Sequence, residues 1–188
     1  MRPAAATRRR ARFLSGGVAV VVLLGLGSPI PSKSQGQAPV AEVRPVDPGR
    51  FLGFAHSSAV LQERASRLAA SKDTRPEARD FAREMARFRE QQAERLRAVA
   101  QERGLRLPGP EEEFEHRVVL ENLEPLDYLA LSRRYAEVQV QALEQEIGGY
   151  EAAAQGSDEA MKRLAAETLG QLRQRLEAAR RMHSAVKP

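Results

Sequence analysis

His56, His116 and His183 are the only imidazoles in the chain, and cysteine is absent. Disulfide frameworks, thiolate metal sites and a lipid-bearing cysteine are thereby excluded. His116 closes the stretch Glu113-Phe114-Glu115-His116, whose Glu-x-x-His spacing sets both side chains on one helical face, as in di-metal carboxylate bundles. Such centres draw two of these pairs from facing helices, and the chain has no second. Just after Pro110, the acids read instead as a solvated helix start that complements its dipole. Glu113, His116, His56 and His183 are the metal candidates by residue type, and the expectation is no metal site, no catalytic residue and no cofactor.

The histidines have one further prospect. In an up-down-up-down bundle, the start of the first helix, the second connection and the end of the last helix share one pole, so the three rings approach one another. His56 lies roughly 12 Å of helical rise into its helix, and His183 sits near a terminus that frays, which favours separate positions. Nucleophile arrangements are missing: there is no Gly-x-Ser-x-Gly elbow, no phosphate-cradling loop, and no Ser–His pairing that spacing recommends. Gln92 and Glu146 stand alone on otherwise apolar stripes and read as tolerated or edge-exposed positions. Tyr128, Tyr135 and Tyr150 read as packing residues with satisfied hydroxyls.

These residues need helices to position them. Asp47 is placed to cap a helix with Pro48 at its first position, followed by Phe51, Phe54 or Ala55, Ser58, Leu61, Ala65 and Leu68 at spacings of three and four, to about Ser71. The second helix has Thr74 as cap, Pro76 just inside and the stripe Phe81, Met85, Phe88, Gln92, Leu96, Val99, with Gly104 as its left-handed stop. A short helix around Val118, Val119 and Leu123 is interrupted by Pro125. A longer one restarts near Asp127 with Tyr128, Leu131, Tyr135, Val138, Ala142 and Glu146 on one face, ending at Gly148-Gly149 or Gly156. Ser157, Asp158 and Glu159 open the last helix, whose stripe is Met161, Leu164, Thr168, Leu172, Leu176, Ala179 and His183. No strand pattern is sustained and the turns are short, so the expected fold class is all-α: an antiparallel four-helix bundle with a short extra helix between helices two and three.

Ahead of the bundle, Arg8, Arg9, Arg10 and Arg12 precede the apolar run Val18–Leu26 and the breakers Gly27, Pro29 and Pro31, the layout of a secretory signal. The run is about half of the roughly 20 residues that a span needs. Cleavage is the expected fate, and no transmembrane span is expected in the mature chain. The organisation is thus 1–34 signal, with a cut as late as 38, then a flexible linker over 35–47 and a bundle domain over 48–186. The net charge of +5 comes from this signal, which holds six of the 30 basic residues and leaves 24 basic against 25 acidic ones. Near-neutrality with interspersed signs excludes the basic face of a nucleic-acid binder.

Phe51 with Ala55, Leu68-Ala69, Phe81-Ala82 with Met85, Leu105-Arg106-Leu107-Pro108, Leu126-Asp127 and the final helix resemble a bacterial exported family of unknown function, often labelled an outer-membrane protein. The resemblance covers about residues 50–184 and implies a ferritin-like four-helix fold in the periplasm or cell envelope. It also implies a metal or polar site built on an Asp-His pair in helix two, a His in helix three and a Glu in helix one. Here those positions hold Phe88 and Arg89, Val138, and Gln62, so no ligand carries over. The expected function is a non-catalytic exported module, monomeric, that binds an unknown envelope protein or surface. A ferritin-like metal-binding protein or metal-dependent oxidoreductase with a degenerate site is the alternative.

Overall fold

The computed structural model describes residues 46–109 and 114–187, the side chains of residues 114 and 115 excepted. The expected signal and residues 35–45 of the expected linker lie outside the described residues, as does Glu113. Five helices make up the described chain, and no strand occurs among the described residues.

Helix α1 (Pro48–Ser71) starts where its residues dictate. Asp47 accepts a hydrogen bond from the Arg50 N–H at 2.7 Å, and Pro48 needs no intrahelical donor at the first position. Helix α2 (Pro76–Glu102) departs from expectation at its cap. Arg75 is the capping residue, with its N–H on Ser132 Oγ at 2.9 Å, while the Thr74 hydroxyl donates to Ala69 O at 3.1 Å. Gly104, at φ 65°, supplies the left-handed stop.

Helix α3 (Phe114–Leu123) is the short extra helix, and Pro125 follows its end. Helix α4 (Tyr128–Ala154) runs straight through Gly148-Gly149 and stops before Gly156. Helix α5 (Glu159–Val186) opens on Asp158, whose carboxylate accepts from the amides of Ala160 and Met161 at 3.0 and 3.1 Å. The Met161 amide is the larger influence holding that carboxyl below its usual range, with Arg103 assisting.

The helices pack in two main pairs, α1 with α2 and α4 with α5, joined by α1 against α4 and α2 against α5. Cross-helix partners run in opposite senses. Arg103, Arg95 and Glu84 of α2 and its C-cap meet Asp158, Glu167 and Arg175 in turn, and Glu151 and Glu144 of α4 meet Arg173 and Arg180 of α5. The connection between α2 and α4 spans the length of α1. It begins with Leu105 beside Gly49 and Pro108 beside Gly53, and it ends with the Tyr128 N–H on Asp73 O at 2.7 Å.

Alanine decides which faces are buried. Ala55, Ala59, Ala65, Ala69, Ala78, Ala82 and Ala93 are all fully buried, which lets α1 and α2 approach closely without large side chains between them. The buried face of α1 is therefore turned from the expected stripe, and Phe54 is 42% exposed. Tyr128, expected on the inner face of α4, is 48% exposed.

The two α4 glycines make a test of this packing. A Cβ at Gly148 meets nothing within 4 Å, whereas one at Gly149 would lie 2.6 Å from Phe54 Cε1. Urea denaturation is expected to show Gly148→Ala more stable by about 0.5–1 kcal/mol, through the entropy of the unfolded chain, with Gly149→Ala lacking that gain.

Candidate functional site

Four polar side chains converge in the middle of the helical core, one each from α1 and α4 and two from α2. Gln62 comes from α1, Arg89 and Gln92 lie one turn apart on α2, and Glu146 comes from α4. Arg89 and Glu146 are both completely removed from solvent. Arg89 Nη1 stands 2.6 Å from Glu146 Oε2 and donates to Glu146 Oε1 at 2.8 Å and to Gln92 Oε1 at 2.5 Å. Arg89 Nη2 donates to Gln62 Oε1 at 2.9 Å.

The glutamine amides close the network from both sides. Gln92 Nε2 donates to Glu146 Oε1 at 2.9 Å and to Tyr150 Oη at 3.0 Å, and Gln62 Nε2 donates to Ser58 Oγ at 3.0 Å. Ser58 Oγ in turn donates to Glu146 Oε2 at 3.4 Å. Each amide thus turns its oxygen to the guanidinium and its nitrogen to neighbouring oxygens, the orientation a buried cation demands. One turn further along, Ser66 Oγ and Tyr135 Oη share a hydrogen bond of 2.8 Å. Burial pushes both tyrosine hydroxyls above their ordinary range, helped at Tyr150 by the Glu146 charge, so both stay protonated.

Gln92 and Glu146 are therefore core residues, which corrects their reading as tolerated or edge-exposed positions. Their neighbours explain the difference: a buried guanidinium needs acceptors, and these two residues provide most of them. Arg89 and Gln62, the positions at which the resemblance implied a metal or polar site, do meet in space. Their chemistry does not suit a metal, because a permanent cation stands where a ligand lone pair would be needed and the cluster offers one carboxylate and no imidazole. Val138 is half-buried, and the inward position at that level of α4 is Gln139, which is fully buried with neither amide atom hydrogen-bonded among the described residues. Among the described residues, no group of three His, Asp or Glu side chains could hold a metal ion.

The histidines divide two to one. His56 and His116 are both buried and near enough for the charge of one to act on the other. His183 is half-buried near the far end of α5, where Arg133 Nε at the start of α4 donates to Val186 O at 3.0 Å. The three rings do not share a pole, because the long connection delivers α4 to the α1–α2 turn and α5 then ends at that same end. Glu113 falls outside the described residues.

His116 has a partner that spacing could not reveal. Its Nε2 lies 2.9 Å from Ser57 Oγ, across 59 residues of sequence. Neither ring nitrogen of His56 has a hydrogen-bond partner among the described residues. Burial, then the charges of Arg97 and His116, hold the pKa of His56 below its usual 6.5.

Fold and site together define an all-helical protein whose centre is a sealed ion pair. The chain belongs to the DUF4142 family, a domain of unknown function, whose match covers residues 32–182. No curated protein and no solved structure matches the chain.

Removing one partner of a fully buried ion pair strands the other charge, so Arg89→Met and Glu146→Leu are each expected to lose about 3–5 kcal/mol in urea denaturation. The double variant is expected to be less destabilised than the two losses added, by about 2 kcal/mol or more, because no charge is left unpaired.

His56 sets a second expectation. Its folded pKa is depressed, so below the usual 6.5 the unfolded chain takes up a proton that the folded chain resists. The His56 contribution is present above that value and is lost as pH falls through the depressed folded one. Chemical denaturation across this range should show His56→Phe with a shallower loss of stability on acidification than the parent.

Proposed function

We propose that the chain is a non-catalytic exported protein of the cell envelope, whose bundle serves as a binding or structural module. Four long helices in antiparallel contact, with α3 inside a single long crossover, are read here as the ferritin-like arrangement. The observation that carries the functional reading is Arg89: its guanidinium occupies the centre of the core and consumes the oxygens of Glu146, Gln62 and Gln92. A reaction centre needs open coordination or a titratable group within reach of substrate, and this cluster has its acceptors already committed.

The sequence supports export through its basic and apolar leader, and no helix among the described residues is long and apolar enough to cross a membrane. Exposed pairs such as Arg67 with Glu90 and Arg180 with Glu144 alternate in sign, so a partner would be recognised by shape and a charge pattern rather than by one strong field.

Elemental analysis and thermal melting of the mature protein, purified without a histidine tag, test this reading. No stoichiometric metal and an unchanged melting temperature after chelator or after iron, zinc or manganese addition are expected. Stoichiometric metal that raises the melting temperature would contradict it and return the protein to the metal-binding class.

A further inference from the structure

Gln139 stands on the inner stripe of α4, one turn beyond Tyr135 and two turns before Glu146, and none of it is open to solvent. Neither its amide oxygen nor its amide nitrogen has a hydrogen-bond partner among the described residues. An amide buried in that state forfeits its hydration at both atoms and gains nothing in return. Helices α1, α2, α4 and α5, which enclose this core, are described along their whole length.

The neighbouring polar group has capacity to spare. Ser66 Oγ and Tyr135 Oη share one hydrogen bond of 2.8 Å, yet the two hydroxyls carry a proton each. Whichever oxygen donates, one O–H lies outside that bond. Residues four apart on a helix are neighbours, with roughly 5–6 Å between their Cβ atoms. A bridging water links polar atoms over a similar span, through two hydrogen bonds of about 2.8 Å each.

We propose that Gln139 and the Ser66–Tyr135 hydroxyl pair hold an internal water molecule, a structural ligand of the core between α1 and α4. The groups offered are an amide carbonyl, an amide N–H and a spare O–H. They fall within the roughly two to four polar partners that a buried water takes, and water can donate to the first while accepting from the others. Net charge selects water over an ion. Arg89 and Glu146 offset each other at 2.6 Å, and burial keeps the Tyr135 hydroxyl protonated. The polar core is therefore neutral as a whole, and an added ion would bring in a charge with nothing to balance it. The proposal rests on this geometry and not on the binding role proposed above.

A crystal structure of the mature protein fine enough to place ordered water, with NMR of the nitrogen-15-labelled protein in solution, provides the test. Expected are a water within hydrogen-bond distance of the Gln139 amide and of Ser66 or Tyr135, and Overhauser contacts from the Gln139 amide protons to water with the sign of a long-lived complex. Gln139→Leu keeps the volume and removes the amide, so the oxygen-17 relaxation dispersion of water should lose the amplitude of one long-lived molecule. Replacing both hydroxyls, Ser66→Ala with Tyr135→Phe, should shorten the residence of water at Gln139 roughly fivefold through loss of one hydrogen bond. Circular dichroism checks that each variant is folded, and the parent crystal decides on its own where one is not. Three outcomes would each overturn the proposal: a Gln139 amide that is dry or bonded directly to protein in the parent crystal, a dispersion unchanged in folded Gln139→Leu, or a Gln139–water contact undiminished in the folded double variant.

Discussion

The rest of the structure is arranged around a guanidinium that has no water to solvate it. Removing an arginine and a glutamate from solvent costs several kcal/mol for each ion, and their attraction offsets that cost only when every remaining donor and acceptor has a partner. The core meets this condition at both terminal nitrogens of the guanidinium, through side chains contributed by three helices, while Arg89 Nε has no hydrogen-bond partner among the described residues. Gln62 of α1 and Gln92 of α2 turn their oxygens to Arg89, and Glu146 of α4 brings both carboxylate oxygens to it. The network consequently fixes the rotation of α1, α2 and α4 about their own axes. A quarter turn of any one would bury an unpaired charge or amide.

That constraint also joins the two helix pairs. Within α1–α2, buried alanines permit a close fit but specify register weakly, since one alanine resembles the next. The hydrogen bonds from Arg89 to Gln62 and Glu146 supply the missing specificity, and Ser66 with Tyr135 repeats the device one turn away. Helix α5 takes no part in the ion pair. It closes the core with Leu164, Leu169, Leu172 and Leu176, and Thr168 returns its hydroxyl to Leu164 O at 2.7 Å.

Much of this was legible in the sequence, and its limits have physical causes. Helix starts carry local signals, so Asp47-Pro48, Pro76, Asp158 and the Gly104 stop place four of the element ends within a residue or two. Thr74 was misread because a hydroxyl near a helix start can cap it or bond backward, and here Ala69 O wins. The buried faces of α1 and α2 were harder to read, since alanine carries little hydrophobic contrast and Arg89 sits in a run of charged residues. The periodicity of α5, rich in leucine and methionine, was read correctly except in its last turn, where Met182 and Val186 are buried and His183 is half-buried. The Gln92 and Glu146 positions were visible as polar interruptions, but their importance depends on Arg89, whose spacing from Met85 and Gln92 fits the inner face while its charge argues for solvent. Ser57 with His116 is a tertiary contact between elements that only the long connection brings together.

The buried guanidinium can be observed directly. In nitrogen-15 NMR of the folded protein at neutral pH, Arg89 side-chain protons that are resolved, exchange slowly with water and stay unchanged in the presence of chelator or divalent metal are the predicted result. A rapidly exchanging Arg89 guanidinium averaged with the surface arginines would contradict the account, because a solvated arginine could not organise the core around itself.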